Sequence, residues 1–150
     1  MNNMTSLLIL NGPNLNLLGT REPEIYGAVT LEEIEATCVA YGETKSVSIT
    51  FLQSNHEGVL VDNIHAAKGT HAGIILNAGA FTHTSIALHD AIVGTQIPTI
   101  ELHLSNIHKR EEFRHHSYIA RAAVGVICGF GAAGYNLAIN AMVGHLESNN

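Results

Sequence analysis

Charge is scarce in this sequence. Charged residues make up 13% of the 150, aromatic residues 5%, and tryptophan is absent. The seven Lys and Arg are scattered, with no basic run and no basic–aromatic patch. That excludes nucleic acid as the expected partner, while leaving room for a local anion site. The two cysteines, Cys38 and Cys128, are far apart and form no CxxC pair. They exclude a disulfide framework and read as two buried free thiols in a reducing compartment. No apolar run is long enough to span a bilayer, so no membrane partner is expected. The first residues lack the basic start and small-residue cleavage site of a signal peptide, so the expected location is cytoplasmic. Ten histidines raise the question of a metal, yet no HExxH and no zinc-spaced Cys/His set occurs, and none is expected.

What is present is apolar. Hydrophobic residues reach 46% of the chain, enough for one core, and the length suits a single domain over residues 1–150. So little charge is compatible with extra surface buried in an oligomer and equally with a packed monomer. Apolar runs alternate with helical patterns from end to end. Residues 6–10, 46–52, 73–76, 98–102 and 124–128 read as strands. Helices are predicted from Thr30 onward, over 58–67, from a Thr84 cap to Val93, over 109–116 and over 132–146. Thr30 and Glu33 have capping-box spacing. Strands alternating with helices imply a parallel sheet covered on both sides. With right-handed crossovers, the natural layout is a flavodoxin-like three-layer α/β fold with five parallel strands.

Ligands of such a sheet bind beyond the carboxyl ends of its strands. The unusual polar residues gather there. Asn11, Asn14, Asn16, Arg21 and Tyr26 follow the first strand; Asn77, Thr82 and His83 follow the third; Glu101, His103 and Ser105 end the fourth. The loop over residues 12–27 is long for a connection in which roughly two to six residues is usual, and its part around 19–27 is expected to be a lid. A free tyrosine, with a pKa of about 10, is a poor base at neutral pH, and a nearby guanidinium favours its phenolate. Arg21 and Tyr26 can therefore assemble a base when the loop closes. The alternative is that Tyr26 packs the loop down and Arg21 is solvated. Glu101 and His103, two apart on a strand, share a face. A carboxylate beside an imidazole orients it and favours its protonated form, as a general acid needs; a structural ion pair is the alternative. Ser105 and Asn106 lie where backbone N–H groups can cradle a carboxylate. Arg110 and Arg114, at i and i+4 on the expected helix, can reach an anion or pair with Glu111.

Two further readings compete with an enzyme of this kind. Gly129-Phe-Gly131-Ala-Ala-Gly134 is a literal GxGxxG after a strand and before a helix. No later strand presents an acid to a ribose, so a tight turn with close helix–sheet packing is the simpler use of those glycines. The other rival is a non-catalytic flavodoxin-like binding or signalling domain. A phospho-acceptor domain of that layout would want an Asp ending the third strand, where this chain has Asn77.

Three blocks resemble a known family. The stretch from Asn11 through Arg21 to Tyr26 (NGPNLNLLGTREPEIYG) looks like the opening signature of type II 3-dehydroquinate dehydratases. NAGAFTHTS from Asn77 and ELHLSNIHKREEFRHHS from Glu101 resemble their second and third. The blocks stand in the family's order, and the likeness covers nearly the whole chain. It implies dehydration of 3-dehydroquinate to 3-dehydroshikimate by anti elimination through an enolate, in the shikimate pathway, without metal or cofactor. Tyr26 would remove the proton beside the ketone, and Arg21 would stabilise the phenolate and transition state. Asn14 would help hold a water at the enolate oxygen, and His103, supported by Glu101, would protonate the departing hydroxyl. Asn77, His83, Leu104, Ser105 and Arg114 would bind substrate, Leu104 and Ser105 through backbone N–H groups. Asp90 would reach a neighbouring subunit's site, because family members assemble as homododecamers, tetramers of trimers. Phe81 stands where the family often has Tyr, and Leu104 where it often has Ile; neither departure removes a reacting group.

Overall fold

Strand β1 (Thr5–Asn11) is buried on both faces, and its side chains alternate between two cores. Leu7 and Ile9 face one side of the sheet; Leu8 and Leu10 face the other. This computed structural model describes residues 4–20, 24 and 28–149. Four more strands pair with β1 in parallel: β2 (Val47–Gln53), β3 (Gly73–Asn77), β4 (Thr99–His103) and β5 (Gly125–Cys128), in the order β2-β1-β3-β4-β5. Helices α1 (Leu31–Thr44) and α4 (Ala133–Ser148) cover the face of Leu7 and Ile9. Helices α2 (Glu57–Ala67) and α3 (Ile86–Thr95) cover the other. The result is the expected three-layer, flavodoxin-like α/β fold. Each fully buried Leu or Ile in these cores contributes about 1.5–3 kcal/mol, and that burial holds the layers together.

Local signals account for the element ends. Thr30 caps α1 by accepting a hydrogen bond from the Glu33 N–H at 3.2 Å. Helix α3 begins one residue later than predicted. Residues Gly79–His83 form a 3-10 turn that uses Thr84 as its end, and Ser85 takes the cap by accepting from the Leu88 N–H. The helix predicted over 109–116 does not form. Two short 3-10 turns, Ile107–Lys109 and Glu112–Arg114, stand there, separated by extended backbone at Arg110 and Glu111. Good helix formers do not suffice without an apolar face to bury, and Phe113 is 68% exposed. Arg110 and Arg114 are thus not on one helix. Cys38 is buried as expected, whereas Cys128, also free, is only half-buried on the edge strand.

The glycine motif serves the turn from β5 into α4. Gly129 and Gly131 adopt left-handed backbone (φ 99° and 59°), and the Gly131 N–H donates to the Leu104 carbonyl at 2.9 Å. A Cβ on Gly134 would lie 2.9 Å from the Leu102 side chain, so glycine permits the helix to sit against the sheet.

Cys38 and Tyr135 lie in the same core. Burial, aided by the Glu35 charge, pushes the Cys38 thiol up to about 12. Burial also raises the Tyr135 phenol above its ordinary 10, against a partly offsetting hydrogen bond from Asn77. Both groups keep their protons longer when folded than when unfolded. Their contribution to stability is therefore complete below the unfolded thiol's value near 9 and is lost as pH rises through the folded values. The thermal midpoint is expected to fall steadily between pH 9 and pH 12. Cys38→Ala should flatten the first part of that fall; an equal slope in the variant would contradict the assignment.

Candidate active site

The carboxyl ends of β1, β3 and β4 meet where the strand order reverses, the position at which doubly wound sheets bind ligands. A pocket of about 290 Å³ opens there, a volume suited to one small ligand. Asn14 reaches it from the loop after β1, Asn77 and His83 from the end of β3 and its following turn, and His103, Leu104 and Ser105 from the end of β4. Arg110 and Arg114 complete its cationic side. Three segments distant in sequence therefore do converge. No lysine is among the described residues lining the pocket.

Its floor is a buried hydrogen-bond network. The Tyr135 hydroxyl, from α4, donates to Asn11 Oδ1 at 2.7 Å and accepts from Asn77 Nδ2 at 3.1 Å. Asn11 Nδ2 donates to the Leu52 carbonyl, and Asn77 Oδ1 accepts from the Gly79 N–H. A buried polar group deprived of its partner costs about 1–3 kcal/mol, so this network locks the ends of β1 and β3. The loop above is pinned from β2. Gln53 donates to the Gly12 carbonyl, and Asn55 accepts from the Asn14 N–H. Asn14 itself sits at φ 71°, a left-handed conformation that Asn tolerates better than most residues.

The acid–base elements are defined by their partners. Glu101 is wholly buried, and its Oε2 lies 2.6 Å from His103 Nε2. A carboxylate oxygen can only accept, so Nε2 carries a proton and Nδ1 is the ring nitrogen left for other work. His83 Nδ1 lies 2.8 Å from the His116 carbonyl, so it too is the donor, and Nε2 is its remaining nitrogen. The two rings stand 6.4 Å apart between centroids, only 15° from parallel. Arg114 donates through Nε to Glu111 at 2.6 Å, the pairing that the sequence left open, while still lining the pocket. Glu111's own backbone N–H, together with Arg114, holds its carboxyl below the usual range. Arg110 reaches Ser105 Oγ at 3.4 Å. Among the described residues, no group of three or more His, Cys, Asp or Glu is arranged to hold a metal ion. No described helix is long and apolar enough to cross a membrane.

Residues 5–143 match the description of the family dehydroquinase class II. The chain belongs to that family. Among class II dehydroquinases and their relatives, it is 64% identical over 144 residues to the 3-dehydroquinate dehydratase of Ruegeria pomeroyi, covering 96% of this chain and 97% of that one. The Yersinia enterocolitica 3-dehydroquinate dehydratase is 57% identical over all 150 residues, 100% of each chain. The crystal structure of the type II dehydroquinase from Butyrivibrio crossotus superposes with a TM-score of 0.91 at 41% identity, over 95% of this chain and 99% of that one.

Of the residues that the class II resemblance implicates, Asn14, Asn77, His83, His103, Leu104, Ser105 and Arg114 line this one pocket, with Glu101 directly behind His103. Arg21, Tyr26 and the greater part of the expected lid lie outside the described residues. Asp90 is exposed on α3 and does not line this chain's own pocket. Tyr135, Gln53, Asn55 and Ser117 support the site and were not read as doing so from the sequence. Only Tyr135 had a signal: two strand-end asparagines, Asn11 and Asn77, that needed partners once buried.

Proposed function

We propose that the chain dehydrates 3-dehydroquinate to 3-dehydroshikimate, a step of the shikimate pathway, by anti elimination through an enolate. One observation carries the reading. A pocket for one small ring, at the switch point of the sheet, holds an imidazole backed by a buried carboxylate and flanked by two guanidinium groups. The ketone acidifies the neighbouring C–H. Tyr26, as phenolate beside Arg21, takes that proton, and Asn14 holds a water against the enolate oxygen. His103 then gives a proton to the departing hydroxyl from Nδ1. Acid and base are each worth roughly 10²–10⁴-fold, and preorganised dipoles add more. Asn77, His83 and Arg114 hold the ring substituents, and the backbone N–H groups of Leu104 and Ser105 hold the carboxylate. The chemistry asks for no metal or cofactor, since base and acid are protein groups and the oxyanion partner is a water held by one.

We further infer a homododecamer, a tetramer of trimers, working in the cytoplasm. Ile86, Asp90 and Val93 fall at i, i+4 and i+7 on α3, and both apolar members are more than half exposed. An apolar stripe around an acidic residue suits a subunit contact through which Asp90 reaches a neighbour's site. Edge strand β5 likewise carries exposed Val126, with Val124 exposed just before it.

The test is turnover. Mixed with 3-dehydroquinate in the presence of a chelator, the protein should raise the near-ultraviolet absorbance as the conjugated enone forms. No rise at any enzyme level would favour a non-catalytic binding domain, and a rise restored only by zinc would show that the histidines hold a metal.

A further inference from the structure

Ser117 lies sixteen residues beyond Glu101, past both 3-10 turns, and meets its carboxylate at the back of the pocket. Its hydroxyl accepts hydrogen bonds from two backbone N–H groups, Ile119 at 3.1 Å and Ala120 at 3.0 Å. With its oxygen so occupied, the hydroxyl hydrogen is directed to Glu101 Oε1 at 2.8 Å. Glu101 Oε2 is engaged by His103 Nε2 at 2.6 Å. Both oxygens of a wholly buried carboxylate are thus accounted for, one by the imidazole and one by Ser117.

The segment bearing Ser117 is itself fixed by the turn after β3 and by α3. The His116 carbonyl accepts from His83, the Tyr118 N–H donates to the Thr82 carbonyl at 2.9 Å, and the Tyr118 carbonyl lies 2.8 Å from His89 Nδ1. The hydroxyl therefore has little freedom to turn elsewhere. We propose that Ser117 is a positioning residue: it clamps the Glu101 carboxylate so that His103 is held with Nδ1 toward the substrate. This rests on the reading of His103 as the general acid. Without Ser117, Oε1 loses its partner in a buried site, the carboxylate is free to rotate, and the imidazole loses its fixed reference. Ser117 does not line the pocket, so substrate binding should hardly change.

The experiment is a double-mutant cycle read by kcat and KM for dehydration. Ser117→Ala should lower kcat about ten- to a hundredfold, the scale of a hydrogen bond to a charged group, with KM within about twofold of wild type. Ser117→Thr, which keeps the hydroxyl, should restore most of kcat. Glu101→Gln should lower kcat as well, and adding Ser117→Ala to it should cost little more, because the two act through one carboxylate. If Ser117→Ala does not fold, Ser117→Cys, with nearly the same volume and only a weak S–H donor, carries the same expectation. Multiplicative losses in the double variant, or full kcat in Ser117→Ala, would overturn the proposal while leaving the acid assignment standing. Full kcat in Glu101→Gln would instead sink the Glu101–His103 reading on which it rests.

Discussion

Tyr26→Phe is expected to abolish dehydration almost completely, by at least roughly 100-fold and up to about 10⁴-fold, with little change in fold. In the proposed mechanism the reaction begins by breaking a C–H bond beside a ketone, and a phenyl ring has no oxygen to take the proton. The substitution removes a single oxygen atom, and Tyr26 belongs to none of the described strands or helices, so circular dichroism and the thermal midpoint should match wild type. A sharper readout is available in heavy water. The variant should neither release product nor exchange the substrate's acidic C–H for deuterium. Retained turnover would end the base assignment, whatever Arg21 does beside it.

His103→Ala is expected to lose a similar factor, about 10²–10⁴-fold in kcat, but with the opposite isotope signature. In the proposed mechanism Tyr26 should still form the enolate. With no acid to protonate the leaving hydroxyl, the enolate returns to ketone, collecting a deuteron from a phenol equilibrated with solvent. Recovered substrate should therefore carry deuterium while product fails to appear. The geometry behind this is direct: His103 lines the pocket, and its Nε2 is committed to Glu101, which leaves Nδ1 for the substrate. Exchange lost together with elimination would mean that His103 serves the proton-abstraction step. Mass spectrometry of recovered substrate and product separates the outcomes.

The sheet was legible because its strands are short apolar runs ended by polar turns. All five were found within one or two residues, as was the Thr30 cap. The pocket was legible for a related reason: a parallel sheet sends its strand ends to one edge, so Asn14, Asn77 and His103 had to meet once β1, β3 and β4 were identified. Residues 109–116 were misread because helix propensity is local, while a helix needs an apolar face to bury; Phe113 points to solvent and Arg110 breaks into extended backbone. Ser117 was invisible for a different reason, and Tyr135 was signalled only by the buried asparagines it bonds. Their partners, Glu101 and Asn77, lie sixteen and fifty-eight residues away, and nothing in the spacing of a lone serine or a helix tyrosine announces such a bond.

The most direct measurement is a crystal structure with a substrate analogue in the pocket. It should show the phenol oxygen of Tyr26 and Nδ1 of His103 on opposite faces of the six-membered ring, each within hydrogen-bond reach of the atoms it serves. Finding the two groups on different sides of the molecule, in every subunit arrangement, would contradict the mechanism.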